Sequence, residues 1–275
     1  MILFEGALDI GGKRALSGVR NYIFFIAILC QFMLVIGSFA VPEAKADTLH
    51  LTSLHWPPYS GSTLEKQGAT IAITRAAMRA MGHELIVGFF PWSRAIRLVN
   101  RPESKYVGYL PAYSYPTDEF IFSDPLGSSP LGLVEQHLHP ISWSSLADLN
   151  QYRLGVVRDY TNTAELDAMI KLGTQRVEVV NSDEHNVKKV ATARIDAAVI
   201  DLHVFGYLLS QKELKSLAGK LQINKKTLED KQMFIAFRNT PEGHYWRDMF
   251  NAGLSKIDAE LILDEYMSEV KTGSK

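Results

Sequence analysis

Cysteine is all but absent from this chain: Cys30 is the only one in 275 residues. A disulfide framework needs at least a pair and a thiolate zinc site needs more, so both are excluded. Charge of one sign is lacking too, since 29 basic residues face 30 acidic ones and no basic block stands out. That balance argues against nucleic acid as a partner. Repeats and low-complexity tracts are missing. So are a Gly-rich phosphate loop, a Ser/His/Asp order in motif context and a paired-carboxylate motif, which removes the usual signs of nucleotide binding and hydrolysis. His137 and His139 share one face of a strand without a third ligand, so no metal and no cofactor is expected.

Long hydrophobic runs are also scarce, and the one that exists is informative. Residues 23–40 are apolar except for Gln31 and a few small residues, with Lys13, Arg14 and Arg20 upstream and Ala44-Lys45-Ala46 downstream. Positive flank, apolar core and a small-x-small site form the layout of a secretory signal peptide, residues 1–46, cleaved after Ala46. A retained anchor is the rival reading, but about 18 residues is the short edge of a bilayer span. Cleavage places the protein in the periplasm, removes Cys30 and leaves about 229 residues, enough for two small domains.

Periodicity then sets out the elements. Residues 49–52 alternate as a strand and stop at Trp56-Pro57-Pro58-Tyr59; Ile71, Thr74, Met78 and Met81 fall at helical spacing before Gly82. Strands at 83–90 and 106–110 flank a short helix at 92–100. The alternation begins again with strands at 153–157, 177–180 and 197–200 and helices at 163–172 and 183–193. Two such units predict two α/β lobes, with the extended stretch 131–139 between them. Ligands of open α/β sheets bind beyond the carboxyl ends of the strands. That rule selects Trp56-Pro57-Pro58-Tyr59, Pro91-Trp92, the stretch 111–113, the stretch 158–162 and Asp201.

Trp56-Pro57-Pro58-Tyr59, Phe122-Ser123-Asp124-Pro125, Leu146-Ala147-Asp148-Leu149, Ala193-Arg194-Ile195-Asp196-Ala197-Ala198-Val199-Ile200-Asp201 and Met249-Phe250-Asn251-Ala252-Gly253-Leu254 occur in this order along the chain. The ordered set resembles the bacterial extracellular solute-binding proteins of family 3, and Pro91-Trp92-Ser93-Arg94-Ala95 resembles one branch of them. The resemblance implies an α/β, two-lobe clamshell of the type II periplasmic-binding-protein kind. Lobe 1 would hold 47–133 and 238–275, lobe 2 would hold 138–232, and 134–137 and 233–237 would be the hinge crossings. It also implies a monomer that closes on a small polar or amine-bearing molecule and presents it to an ABC-type transporter or a membrane receptor.

Carried over position by position, the resemblance puts Trp56 and Trp92 against the ligand, with Tyr59 and Tyr113 beside them. Tyr160 and Thr161 would donate to a ligand carboxylate, with Arg158 close by, and Asp201 would take an ammonium. Amino-acid binders also carry an arginine shortly before the Phe-Ser-Asp-Pro element, where this chain has Pro116 or Phe120. Arg94 or Arg158 would have to replace it, or the ligand lacks a carboxylate. An alternative from another class is an enzyme on the same scaffold, similar to cyclohexadienyl dehydratases, with Asp118, Glu119 or Asp201 as general acid.

Overall fold

The computed structural model describes residues 46–273. The expected signal segment, with Ala44 of its cleavage site, lies outside them apart from Ala46. No helix among the described residues is long and apolar enough to cross a membrane.

In β1 (Thr48–Ser53), Leu49 and Leu51 alternate with half-buried Thr48 and His50 and are fully buried. Helix α1 (Ala69–Ala80) buries Ile71, Thr74, Ala77 and Met78, whose spacing makes one continuous stripe. Gly82, at φ +79, turns the chain out of the helix, and its N–H meets the Arg79 carbonyl at 3.0 Å. β2 (Glu84–Phe89), α2 (Trp92–Val99) and β3 (Gly108–Ala112) follow, with β1 pairing in parallel to both strands.

Next come β4 (Phe120–Phe122), β5 (Gly127–Gln136), β6 (Leu154–Val157), α3 (Ala164–Lys171), β7 (Val177–Val180), α4 (Asp183–Ala191), β8 (Ala197–Asp201), α5 (Leu202–Ser210) and β9 (Leu221–Ile223). β10 (Glu229–Arg238), α6 (Pro241–Leu254) and α7 (Ala259–Gly273) complete the described chain. Thr163 caps α3 through its hydroxyl, and Thr240 caps α6 just ahead of Pro241.

The strand order is β2-β1-β3-β10-β5-β8-β6-β7, with β4 on β10 and β9 on β5. β10 serves two neighbourhoods. From Glu229 to Met233 it pairs antiparallel with β5, and from Phe234 onward with β3 and β4. The sheet therefore divides between Met233 and Phe234, with a bulge just beyond. On the other strand the change falls between β4 and β5, around Pro125.

This corrects the expected crossing at 134–137. Val134, Glu135 and Gln136 are paired with β8 and β9, deep inside the second half of the sheet. Pro130 and Gly132 stand inside β5, but the change of partners lies upstream of it, beside Asp124-Pro125. After β10, helices α6 and α7 both pack on α1, so the end of the chain rejoins the first half.

Candidate functional site

Beyond β1 the chain makes a tight turn, with the Trp56 N–H on the Ser60 carbonyl at 2.8 Å and the Tyr59 N–H on the Trp56 carbonyl at 3.0 Å. The turn stacks the two rings at 4.7 Å and 27°. At the start of α2, Trp92 stands edge-on to Tyr109 at 5.3 Å and to Tyr160 at 6.3 Å. Trp56 meets Tyr160 in the same manner at 6.4 Å. Tyr160 lies in the loop after β6, so an aromatic wall is assembled from strand ends in both halves of the sheet.

That loop is held in place from several sides. Asp159 adopts φ +60, a left-handed conformation that aspartate tolerates better than most residues. Its carbonyl accepts the Trp92 indole N–H at 3.0 Å, and its carboxylate accepts the Ser93 hydroxyl. Lys231, buried in β10, donates to the Asn162 carbonyl at 2.7 Å and lies 5.0 Å from the centre of the Tyr113 ring.

The wall separates two cavities. One, of about 290 Å³, is lined by Trp56, Trp92, Tyr109, Tyr113, Tyr115, Tyr160 and Thr161 among others. The other, of about 710 Å³, shares Leu54, Trp56, Trp92 and Tyr160 with it and adds His55, Asp183, Glu184 and Glu213. Carboxylates line both, Asp159 in the first and three acids in the second, and no lysine or arginine lines either.

Of the residues expected at the site, Trp56, Trp92 and Tyr160 line both cavities, and Tyr113 and Thr161 line the first. Four do not line either. Tyr59 is fully buried behind Trp56. Arg94 is exposed over the Phe90 ring, and Arg158 is exposed beside Asn181. Asp201 is committed elsewhere. Its Oδ1 accepts the backbone N–H groups of His203 and Val204 at 2.8 Å each, capping α5. Its Oδ2 accepts the Ser129 hydroxyl at 2.6 Å and the Tyr59 hydroxyl at 3.1 Å. With all four of its acceptor directions used by the chain, Asp201 has none left for an ammonium. Pro116 is exposed and Phe120 is packed on Tyr109.

Two residues went unnoticed in the sequence. Tyr115 completes the aromatic lining of the smaller cavity, its hydroxyl 3.0 Å from that of Tyr109. Asp183 opens α4, just past the carboxyl end of β7, and is only 6 % exposed. The strand-end rule that selected the other loops applies to this one equally. Burial, and then the neighbouring Asp201 carboxylate, push the Asp183 carboxyl up to about 7. Attraction to the Trp56 indole N–H, its own backbone N–H and the Tyr160 hydroxyl offsets this in part. The Tyr160 hydroxyl is in turn pushed well above its ordinary value by burial and by the Asp183 charge.

No family model matches the chain, and no curated protein does. Solved structures do. The GluR0 ligand-binding core from Nostoc punctiforme, in complex with L-glutamate, is 19% identical with a TM-score of 0.63, over 80% of this chain and 98% of that one. An amino acid ABC transporter substrate-binding protein from Streptococcus pneumoniae, bound to L-arginine, is 16% identical with a TM-score of 0.64, over 82% and 95%. A histidine kinase sensor domain with similarity to periplasmic binding proteins is 14% identical with a TM-score of 0.65, over 82% and 95%. The fold is the two-lobe α/β clamshell of the periplasmic binding proteins.

Proposed function

We propose that this chain is a periplasmic receptor that captures a small molecule between its two lobes. Closure around the ligand would then be read by a membrane transporter of the ABC type or by a membrane sensor. The observation that carries this reading is the aromatic wall, in which Trp56 and Trp92 from one lobe meet Tyr160 from the other across the cleft. A ligand contacting both sides gains its full set of contacts only when the lobes are shut, so it biases a two-state equilibrium. The similar structures hold L-glutamate and L-arginine. Here neither cavity is lined by a lysine or arginine, which supports a ligand without the α-carboxylate that an arginine fork would grip.

The test is a thermal-shift screen against amino acids, polyamines and aromatic amines. A true ligand at about 100 times its Kd stabilises the protein by about 2.7 kcal/mol. Trp92→Ala should diminish that shift. Failure of every such solute to raise the Tm, together with no compaction by small-angle scattering, would overturn the reading.

One observation favours a second reading, an enzyme that uses a general acid. Asp183 is a buried carboxyl poised near neutrality beside an open cavity, as proton donation requires. The other candidates serve it less well: Asp118 and Glu119 are exposed outside both cavities, and Asp201 is saturated. Turnover of a prephenate-like substrate, lost in Asp183→Asn, would support the enzyme over the receptor.

A further inference from the structure

The larger cavity contains an acid that no cation of the chain neutralises. Asp183 is 6 % exposed, and among the described residues no lysine or arginine forms an ion pair with it. A second buried group faces the same carboxyl. Trp56, 8 % exposed, lines this cavity, and its indole N–H is drawn to Asp183, leaving the ring face as an apolar wall beside the acid. Glu184 and Glu213 add negative charge around the cavity, and His55 is the only lining residue able to carry positive charge.

We propose that the ligand is an organic cation whose amine seats against Asp183, with the rest of its body passing the Trp56, Trp92 and Tyr160 wall into the smaller aromatic cavity. This rests on the receptor reading and adds to it the sign of the ligand's charge and the residue that reads it. The amine replaces its lost hydration with a charged partner and with aromatic faces, both of which strengthen as water leaves the cleft. A carboxylate in the same position would meet Asp183 and Glu184 instead. A free amino acid is therefore a poor fit, whereas its decarboxylated amine is a good one.

The geometry also entails a dependence on pH. The groups facing Asp183 are the Asp201 carboxyl at the end of β8, the Tyr160 hydroxyl from the loop after β6 and, further off, the Tyr113 hydroxyl at the end of β3, with Glu184, Glu213 and His55 lining the same cavity. Of these only His55 can carry a positive charge, and no ion pair joins it to Asp183 among the described residues. With its own titration near 7, Asp183 is mostly protonated at pH 6 and mostly ionised at pH 8. Binding of an amine that stays cationic over that range should tighten by about tenfold from pH 6 to pH 8.

Calorimetry on the purified protein tests the proposal with tyramine, para-ethylphenol and para-hydroxyphenylpropionate, which share a ring and differ in charge, and with tryptamine, agmatine and cadaverine. The expected result is that at least one amine binds and that Asp183→Asn weakens it by about thirtyfold or more. The pH slope should vanish in that variant, and Asp118→Asn, exposed and remote, should behave like the wild type. For tyramine, the uncharged and anionic analogues should bind at least about thirtyfold more weakly to the unaltered protein, a comparison that needs no variant to fold. Unchanged amine affinity in Asp183→Asn, a preference for the anion, or failure of all the amines would each overturn the proposal. If the neutral or anionic probe then binds and Trp92→Ala abolishes it, the receptor reading stands and only the charge assignment falls. If no probe of either kind binds, both fall.

Discussion

Asp201 and Asp183 both stand where a strand gives way to a helix, and their surroundings divide the work between them. Asp201 holds the end of β8, the start of α5, Ser129 of β5 and Tyr59 of the first turn with four hydrogen bonds. Asp201→Ala removes a helix cap, at about 0.5–2 kcal/mol. It also strips two buried hydroxyls of their shared acceptor, at about 1–3 kcal/mol each if nothing replaces it. An unfolding free energy lower by about 3–5 kcal/mol in urea is expected, and a loss below about 1 kcal/mol would contradict the assigned role. Asp183 acts through its proton. Its carboxyl titrates near 7 in the folded protein and near 3.8 when unfolded, so the folded state holds the proton more tightly. That contribution is complete below about pH 4 and declines as the pH rises toward about 7. The Tm should accordingly fall between about pH 5 and about pH 8, and less so in Asp183→Asn; identical slopes would refute it. This difference between two aspartates could not be read along the chain. Two of the groups on Asp201, the N–H groups of His203 and Val204, are its near neighbours and make a readable helix cap, but Tyr59 and Ser129 lie 142 and 72 positions away, and what surrounds Asp183 comes from the turn at Trp56 and the loop at Tyr160.

Elements were far more legible than side-chain roles. Where apolar alternation or helical spacing was clear, a strand or helix stands close to the expected place, as at 49–52, 177–180 and 183–193. β4 and β9 escaped because three residues carry too little period to distinguish them from loop. The Met249-Phe250-Asn251-Ala252-Gly253-Leu254 stretch shows how motif and packing meet. Gly253 brings α6 so near α1 that a Cβ there would lie 2.2 Å from the Ala77 carbonyl oxygen. Gly253→Ala must push the helices apart, and a destabilisation of about 1–3 kcal/mol is expected. A Tm equal to that of the wild type would show that the two helices tolerate separation.

At the scale of the whole molecule, the lobes were legible as two rounds of α/β alternation; of the two expected crossings, 134–137 lies inside β5 and 233–237 spans the change of partners in β10. β5 and β10 are each ten residues long, and only parts of them, 131–136 and 233–237, carried an extended signal in the sequence. Only pairing shows that β10 changes partners between Met233 and Phe234. Lys231 sits two positions before that change and reaches the Asn162 carbonyl in the loop that presents Tyr160 and Thr161. Lys231→Met keeps an unbranched apolar stem of similar bulk and loses this bond. Faster amide hydrogen exchange across residues 160–162 is expected, with the protein otherwise folded; unaltered exchange there would sever the link.

Up to Met233, β10 is laddered to β5, and from Phe234 onward to β3 and β4, so no single ladder runs across the junction. A bend placed between those two residues would leave every pairing on either side intact. The backbone is thus free to flex at the one place where Trp92 and Tyr160 are carried by different ladders.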